Sequence, residues 1–358
     1  MLIRKAVRVT TQKIKASLPR LIATIPVSSP AVHFAINPIT NRVYFIQGDN
    51  HLAVLNTITN KIITTIPIGE MASHLVVNTR TNRIYTSNFF DGTVSVINGR
   101  TNRVISTIKV GERCDHIAVN THTNFIYVST ISLNSKNADV VVINGHTNGV
   151  YRRIAFNGRP SQLLVNEWAN RIYVTNTTTD SLSVINGLTN KIVSTVKVGR
   201  NPVITPVLDR KTQQLYVANN LSRYCSVVDL RTMKVRRIQL GRLQRDITIN
   251  PLTNRIYISS AQISIKGRLF VVCSKTNKII NTLTVPTFSD VLINPRTNHL
   301  FVSASTETGT VPLKVYNGSS LNPLTQLRVG KGSGSLLLNP RTNRMYVGGE
   351  KTISVIQD

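Results

Sequence analysis

Acidic residues are the scarcest polar class in this chain: 15 Asp and Glu stand against 43 Lys and Arg in 358 residues, for a formal charge of +28. That balance says nothing about fold, but it bears on solubility, non-specific binding and the steering of anions. Cysteine is nearly absent. Cys114, Cys225 and Cys273 are scattered without metal-like spacing, which argues against a disulfide framework and favours a reducing compartment. No apolar run is long enough to cross a bilayer. The start, Met1-Leu2-Ile3-Arg4-Lys5-Ala6, shows neither the apolar stretch nor the small-residue cleavage site of a signal peptide. These absences predict a cytoplasmic protein without membrane insertion. There is also no Gly-x-Ser-x-Gly elbow, no phosphate loop and no His-Glu-x-x-His segment, so the common catalytic motifs are missing.

What is present is a repeat. Asn37-Pro38-Ile39-Thr40-Asn41-Arg42-Val43-Tyr44 returns, more or less faithfully, from Asn78, Asn120, Asn166, Asp209, Asn250, Asn294 and Asn339. A period in the forties is that of propeller blades or short solenoid units. Each period holds four short runs rich in Val, Ile, Thr and Tyr separated by turn residues, such as His33 to Asn37, Arg42 to Gln47, His51 to Asn56 and Lys61 to Ile68. Runs of that length and composition read as strands, and four antiparallel strands per period make one blade. We letter them a to d from the channel outward.

The tetrapeptide Tyr173-Val174-Thr175-Asn176, with its variants Tyr85-Thr86-Ser87-Asn88 and Tyr216-Val217-Ala218-Asn219, resembles the YVTN family of β-propeller repeats, the surface-layer type among them. The resemblance runs from about Leu21 to the last residue and implies a propeller. For function it implies little, because similar propellers include scaffolds, DNA-binding periplasmic proteins, lactonases and lyases. Quinone-dependent dehydrogenases also use eight-bladed rings, but they dock their blades with repeated tryptophans, and this chain has one.

Ring closure can be read from the chain's two ends. The last repeat stops after its third strand, Lys351 to Ile356, while Arg20 to Val27 copies the outer strand Lys61 to Ile68 of the first full repeat. The expectation is an all-β, eight-bladed propeller of residues 20–358 whose first strand completes the last blade and covers open sheet edges. Seven blades is the alternative. Residues 1–19 form a basic arm, carrying Arg4, Lys5, Arg8, Lys13 and Lys15 with no acid.

The a-to-b and c-to-d turns of a propeller open on one face. The a-to-b turns carry Arg42, Arg80, Arg83, Arg171, Arg210, Lys211, Arg255, Arg296, Arg341 and Arg344; the c-to-d turns carry Lys61, Arg100, Arg103, Lys191, Arg231, Lys234, Lys275 and Lys278. The acids in the same windows are Glu167, Asp209 and Asp229. Most other acids fall in loops of the opposite face, which should be near neutral. Turn chemistry explains the Asn, Pro and Thr of these segments but does not require Arg or Lys. Two rings of cations facing one way would attract a polyanion, with binding that falls steeply as salt rises. Trp168 and Phe125, in neighbouring a-to-b turns, could stack bases, although the reading we prefer for Trp168 is packing onto the blade edge. The tyrosine series Tyr44, Tyr85, Tyr127, Tyr173, Tyr216, Tyr257 and Tyr346 is assigned to packing between blades.

Four residues before each repeat start stand His33, His74, His116, Gln162, Thr205, Asp246, Asp290 and Ser335, at one level of the channel. Three imidazoles on adjacent strands could hold a metal and support hydrolysis or elimination; a solvated polar ring is the reading we prefer. On the other face, Phe89-Phe90 before Asp91-Gly92 is either a contact for a protein partner or a tip folded back on its own blade. The sequence therefore points to a scaffold with no cofactor. Its partner is an anionic polymer, DNA or RNA, held by Arg42, Lys61, Arg83, Arg103, Trp168, Arg171, Lys191, Arg255, Lys278 and Arg344. The competing readings are a channel-centred, metal-dependent lyase or lactone hydrolase and a purely structural protein-interaction scaffold.

Overall fold

The computed structural model describes residues 18–48, 50–133, 138–261, 266–287, 289–304, 312–332 and 334–358. Nearly all of the basic arm therefore lies outside the described residues. Every regular element among them is a strand, and the strands form eight four-stranded antiparallel sheets. Seven sheets are made from consecutive strands; blade 1, for example, runs Ala31–Asn37, Arg42–Gln47, His51–Asn56 and Lys61–Pro67. The eighth joins Leu336–Asn339, Arg344–Gly348 and Thr352–Gln357 to Arg20–Pro26. The predicted closure is what forms: Ile25 pairs with Ile353 and Leu21 with Ile356, so the first strand ends as strand d of blade 8.

The core is distributed around the ring. Eight buried apolar clusters each join one blade to the next. In one, Tyr85, Val94 and Val96 of blade 2 meet Ile117, Val128 and Val141 of blade 3. Alternation along strands b and c puts one set of side chains toward the preceding blade and the other toward the following one, so these strands are apolar on both faces and fully buried. The tyrosines of strand b lie in these clusters, as expected, and several place their hydroxyls on the next blade's c-to-d turn: Tyr127 on Asn190 Oδ1 at 3.0 Å, Tyr216 on Asn277 Oδ1 at 2.6 Å and Tyr257 on the Gly318 carbonyl at 2.7 Å.

The repeat motif is explained atom by atom. The first Asn caps its own turn: Asn78 Oδ1 accepts from the backbone N–H of Arg80 at 3.0 Å and of Thr81 at 3.3 Å, an Asx-turn. The second Asn takes a left-handed conformation, with φ of 55° at Asn41, 51° at Asn82 and 57° at Asn124, which Asn tolerates better than most residues. Its carbonyl then accepts from the c-to-d turn of the same blade, as Asn82 does from Gly99 N–H at 2.9 Å. A Cβ at Gly99 would lie 2.5 Å from Asn82 Oδ1, so the glycine lets the Asn82 side chain sit close to this turn, while Thr57, Leu230 and Ser274 make the same backbone bond in blades 1, 5 and 6.

Candidate functional site: a cationic face and a polar channel

The a-to-b and c-to-d turns share one face, and its cations divide into two groups. Arg42, Arg83, Arg171, Arg255 and Arg344, the first residues of their b strands, are half-buried. Three of them tie their blade to the c-to-d turn of the next. Arg83 donates to the Gly145 carbonyl and to Asn148 Oδ1, Arg255 to the Gly318 carbonyl at 2.9 Å, and Arg344 to the Thr57 carbonyl at 2.6 Å. Arg171 instead folds onto the carbonyls of its own turn, Ala169 and Asn170. Sequence reasoning missed this architectural role because each partner lies in the neighbouring blade, 62 and 63 residues on for Arg83 and Arg255 and across the ring closure for Arg344. The second group, Lys61, Arg103, Lys191 and Lys278 at the starts of d strands, is exposed. Among the described residues their side chains form no hydrogen bond or ion pair. Arg80, Arg210 and Arg296 of the a-to-b turns are also exposed and, among the described residues, form no side-chain bond, so the charges free to meet a partner include those of the outer ring together with these three.

The three acids on this face are engaged locally. Glu167 Oε1 accepts from Thr121 N–H at 2.7 Å and its Oε2 lies 3.3 Å from His122 Nδ1. Asp209 and Asp229 cap their own turns. A fourth acid, outside the turn windows of the sequence count, is Asp358. It is buried at the blade 7 turn, where it accepts from Asn294 Nδ2 at 2.6 Å and Thr297 Oγ1 at 2.7 Å and lies 2.6 Å from His299 Nδ1. His299 stands where five of the other repeats have Arg, so a histidine–aspartate pair replaces the arginine tie between blades 7 and 8.

The preferred packing of Trp168 is corrected by the structure: its side chain is 81% exposed. The residue sits at the turn apex, where Ile39 and Leu252 of other blades are also exposed, because the backbone there points away from the sheet. Its turn is nevertheless fixed, by the Glu167 contacts and by the Asn120 Nδ2 bond to Asn170 Oδ1 at 3.0 Å. Phe125 is half-buried against the blade 3 and 4 core, 4.9 Å ring to ring from the exposed Tyr151. On the opposite face Phe89 and Phe90 meet edge to face, and Arg113 lies over both rings at 5.3 and 5.2 Å. The tip is thus partly folded back, with Phe90 still exposed.

The channel residues do assemble at one level. Seven of the eight line a cavity of about 590 Å³, with His116 enclosed just behind. The imidazoles pack in sequence with tilted planes, His33 on His74 at 4.6 Å and 50° and His74 on His116 at 4.5 Å and 51° between rings. Among the described residues, no group of three His, Cys, Asp or Glu side chains converges as metal ligands would. Leu163 N–H donates to His116 Nδ1 at 3.3 Å, which leaves the proton on Nε2, 3.4 Å from Thr205 Oγ1; that hydroxyl donates on to Gln162 Oε1 at 2.7 Å. Burial, with the neighbouring His74 and His33 adding to it, holds His116 well below the usual imidazole range, and burial pushes His74 down to about 4. The ring is therefore only partly solvated, since His116 and Gln162 are buried. Opposite stand two carboxylates. Burial pushes Asp246 up to about 7, with neighbouring Asp290 adding to the shift, and burial pushes Asp290 up to about 6.

No family model matches the chain, and no curated protein matches it in sequence. Many solved structures share its fold. The crystal structure of Saccharomyces cerevisiae Sqt1 superposes with a TM-score of 0.76 at 11% identity, over 94% of this chain and 98% of that one. Dihydro-heme d1 dehydrogenase NirN, in complex with DHE, gives a TM-score of 0.70 at 13% identity, over 84% of this chain and 66% of that one. At such identities the likeness is one of fold. No helix of the described residues is long and apolar enough to cross a membrane.

Proposed function

We propose that this chain is a non-enzymatic binding propeller, built from YVTN-type repeats, whose turn face captures an anionic polymer, nucleic acid in particular. One observation carries the reading. Lys61, Arg103, Lys191 and Lys278 form an outer ring of exposed cations without internal partners on a face whose acids are all engaged. Nothing in the turns requires those charges, and the exposed indole of Trp168 adds a stacking surface on the same side. Arg83, Arg255 and Arg344 hold neighbouring turns together, and the outer ring meets phosphates. Binding of this kind is dominated by counterion release, so its logarithm falls linearly with that of salt, with a slope of about 0.9 per phosphate contact on duplex DNA.

The test is binding of labelled single-stranded and duplex oligonucleotides across a salt series, with heparin as the non-nucleic polyanion. The variant Lys61→Glu/Arg103→Glu/Lys191→Glu/Lys278→Glu leaves the blade-to-blade ties untouched. It is expected to keep its thermal midpoint while losing affinity and flattening the salt slope. Unchanged binding in that variant, or equal affinity of the parent for heparin and nucleic acid, rejects the reading.

A further inference from the structure

The channel has a chemistry opposite to that of the rest of the surface. In a chain of net charge +28, two acids from adjacent blades, Asp246 and Asp290, are set side by side in the cavity wall. Asp246 is fixed: its Oδ1 accepts from Ile247 N–H and its Oδ2 from Val291 N–H, both at 2.8 Å. Asp290 lines the same cavity, and among the described residues its carboxylate accepts no hydrogen bond. Arg245, also in the wall, supplies one positive charge to two carboxylates. Two neighbouring acids that are desolvated and only partly compensated are an arrangement a bound cation relieves.

The facing wall fits the same occupant. His74 lies there as a neutral imidazole, so it does not repel a cation. Its Nδ1 is enclosed and makes no direct hydrogen bond, lying 3.8 Å from Asp115 Oδ1 of the next blade, so a third carboxylate stands behind this wall. His33, packed on it, is the extra residue of a bulge between Val32 and Phe34 and has φ of 49°. Such conformations carry strain and cluster at binding sites. Phe34, whose ring packs on Phe45 in the core between blades 8 and 1, also borders the cavity. A cavity of about 590 Å³ is in the range of small-molecule sites.

We propose that the channel binds a small organic cation, a primary ammonium or guanidinium, with its charged end against Asp246 and Asp290 and its body against Phe34 and the packed imidazoles. The site is independent of the turn face, so the two readings succeed or fail separately.

The experiment is calorimetric titration of the full chain at neutral pH with benzylamine and agmatine, with benzyl alcohol as the uncharged counterpart and Mg²⁺ and Zn²⁺ as bare cations. The overall positive charge disfavours non-specific uptake of cations, so saturable binding reports the local site. The expected result is one-to-one binding of the amines, none of the alcohol, and a loss of about tenfold or more in Asp290→Asn. Asp290→Ser, with circular dichroism on both variants, guards against misfolding. The proposal is overturned if neither amine binds, if benzyl alcohol binds as well as benzylamine, if both folded variants keep the affinity, or if only the metal ions bind.

Discussion

In five repeats the first Asn does two jobs with one amide. Its Oδ1 caps the turn, while its Nδ2 reaches the left-handed Asn of the next blade: Asn37 to Asn82 at 2.8 Å, Asn78 to Asn124 at 2.7 Å, Asn250 to Asn298 at 2.8 Å and Asn294 to Asn343 at 2.6 Å. Either job alone could be done by another residue; the pair needs an acceptor and a donor on one short side chain. Blade 5 has Asp209 instead, which caps its turn but has no donor to offer. Its Oδ2 is buried and unpartnered, facing the position where blade 6 carries the left-handed Asn254. Asp209→Asn is therefore expected to stabilise the protein by about 1 kcal/mol, the net worth of one hydrogen bond, read as a higher urea midpoint at unchanged slope. A lower midpoint would show that the acid has a partner role the geometry does not reveal.

The blade's weak element is its outer strand, whose free edge could pair with another chain. In seven blades the registers skip one residue of strand d at the same place, among them Ile63, Ile105, Tyr151, Val193 and Ile280, with Ile22 in blade 8 and Leu324 in blade 7. A bulge there twists the edge away from a flat partner. Blade 5 lacks it: Val235–Gln239 pairs without a skip, and exposed Arg236 and Arg237 occupy the strand instead. Charge thus replaces the bulge as the edge's protection. Arg236→Thr/Arg237→Thr is expected to produce concentration-dependent association by light scattering with little change in folding stability, whereas Arg103→Thr, on a bulged strand, should not. The strands, turns and closure were legible in sequence because a turn's residues are neighbours in the chain. The exposure of Trp168, the arginine ties and the Asp358–His299 pair were not, since each is decided by the adjacent blade or by a residue remote in sequence. The channel level was legible as a position, but not as a row of neutral rings opposite two acids.

At the scale of the whole ring, stability depends on one seam. Elsewhere successive blades are joined by the chain itself, but blade 8 is completed only when Arg20–Pro26 finds Thr352–Gln357, a pairing more than three hundred residues apart in sequence. Closing so long a loop costs entropy that grows slowly with length, and the buried Ile25, Val27, Ile353 and Val355 offset it. Thr24 and Ser354 stand directly opposite each other across this seam, as do Ser183 and Thr195 within blade 4. A cysteine pair at each place makes the same local bridge over very different loops. The chain-entropy relation gives the seam bridge about 3 kcal/mol more stabilisation than the hairpin bridge; the Ser354 bond to Gly330 N–H and the Ser183 bond to Thr195 Oγ1 are lost in the oxidised and reduced forms alike and cancel. Oxidised against reduced unfolding midpoints of the two variants measure the difference. A clearly larger gain at the seam shows that ring closure is paid for in the unfolded chain. Equal gains mean that the ends already lie close together before the propeller folds.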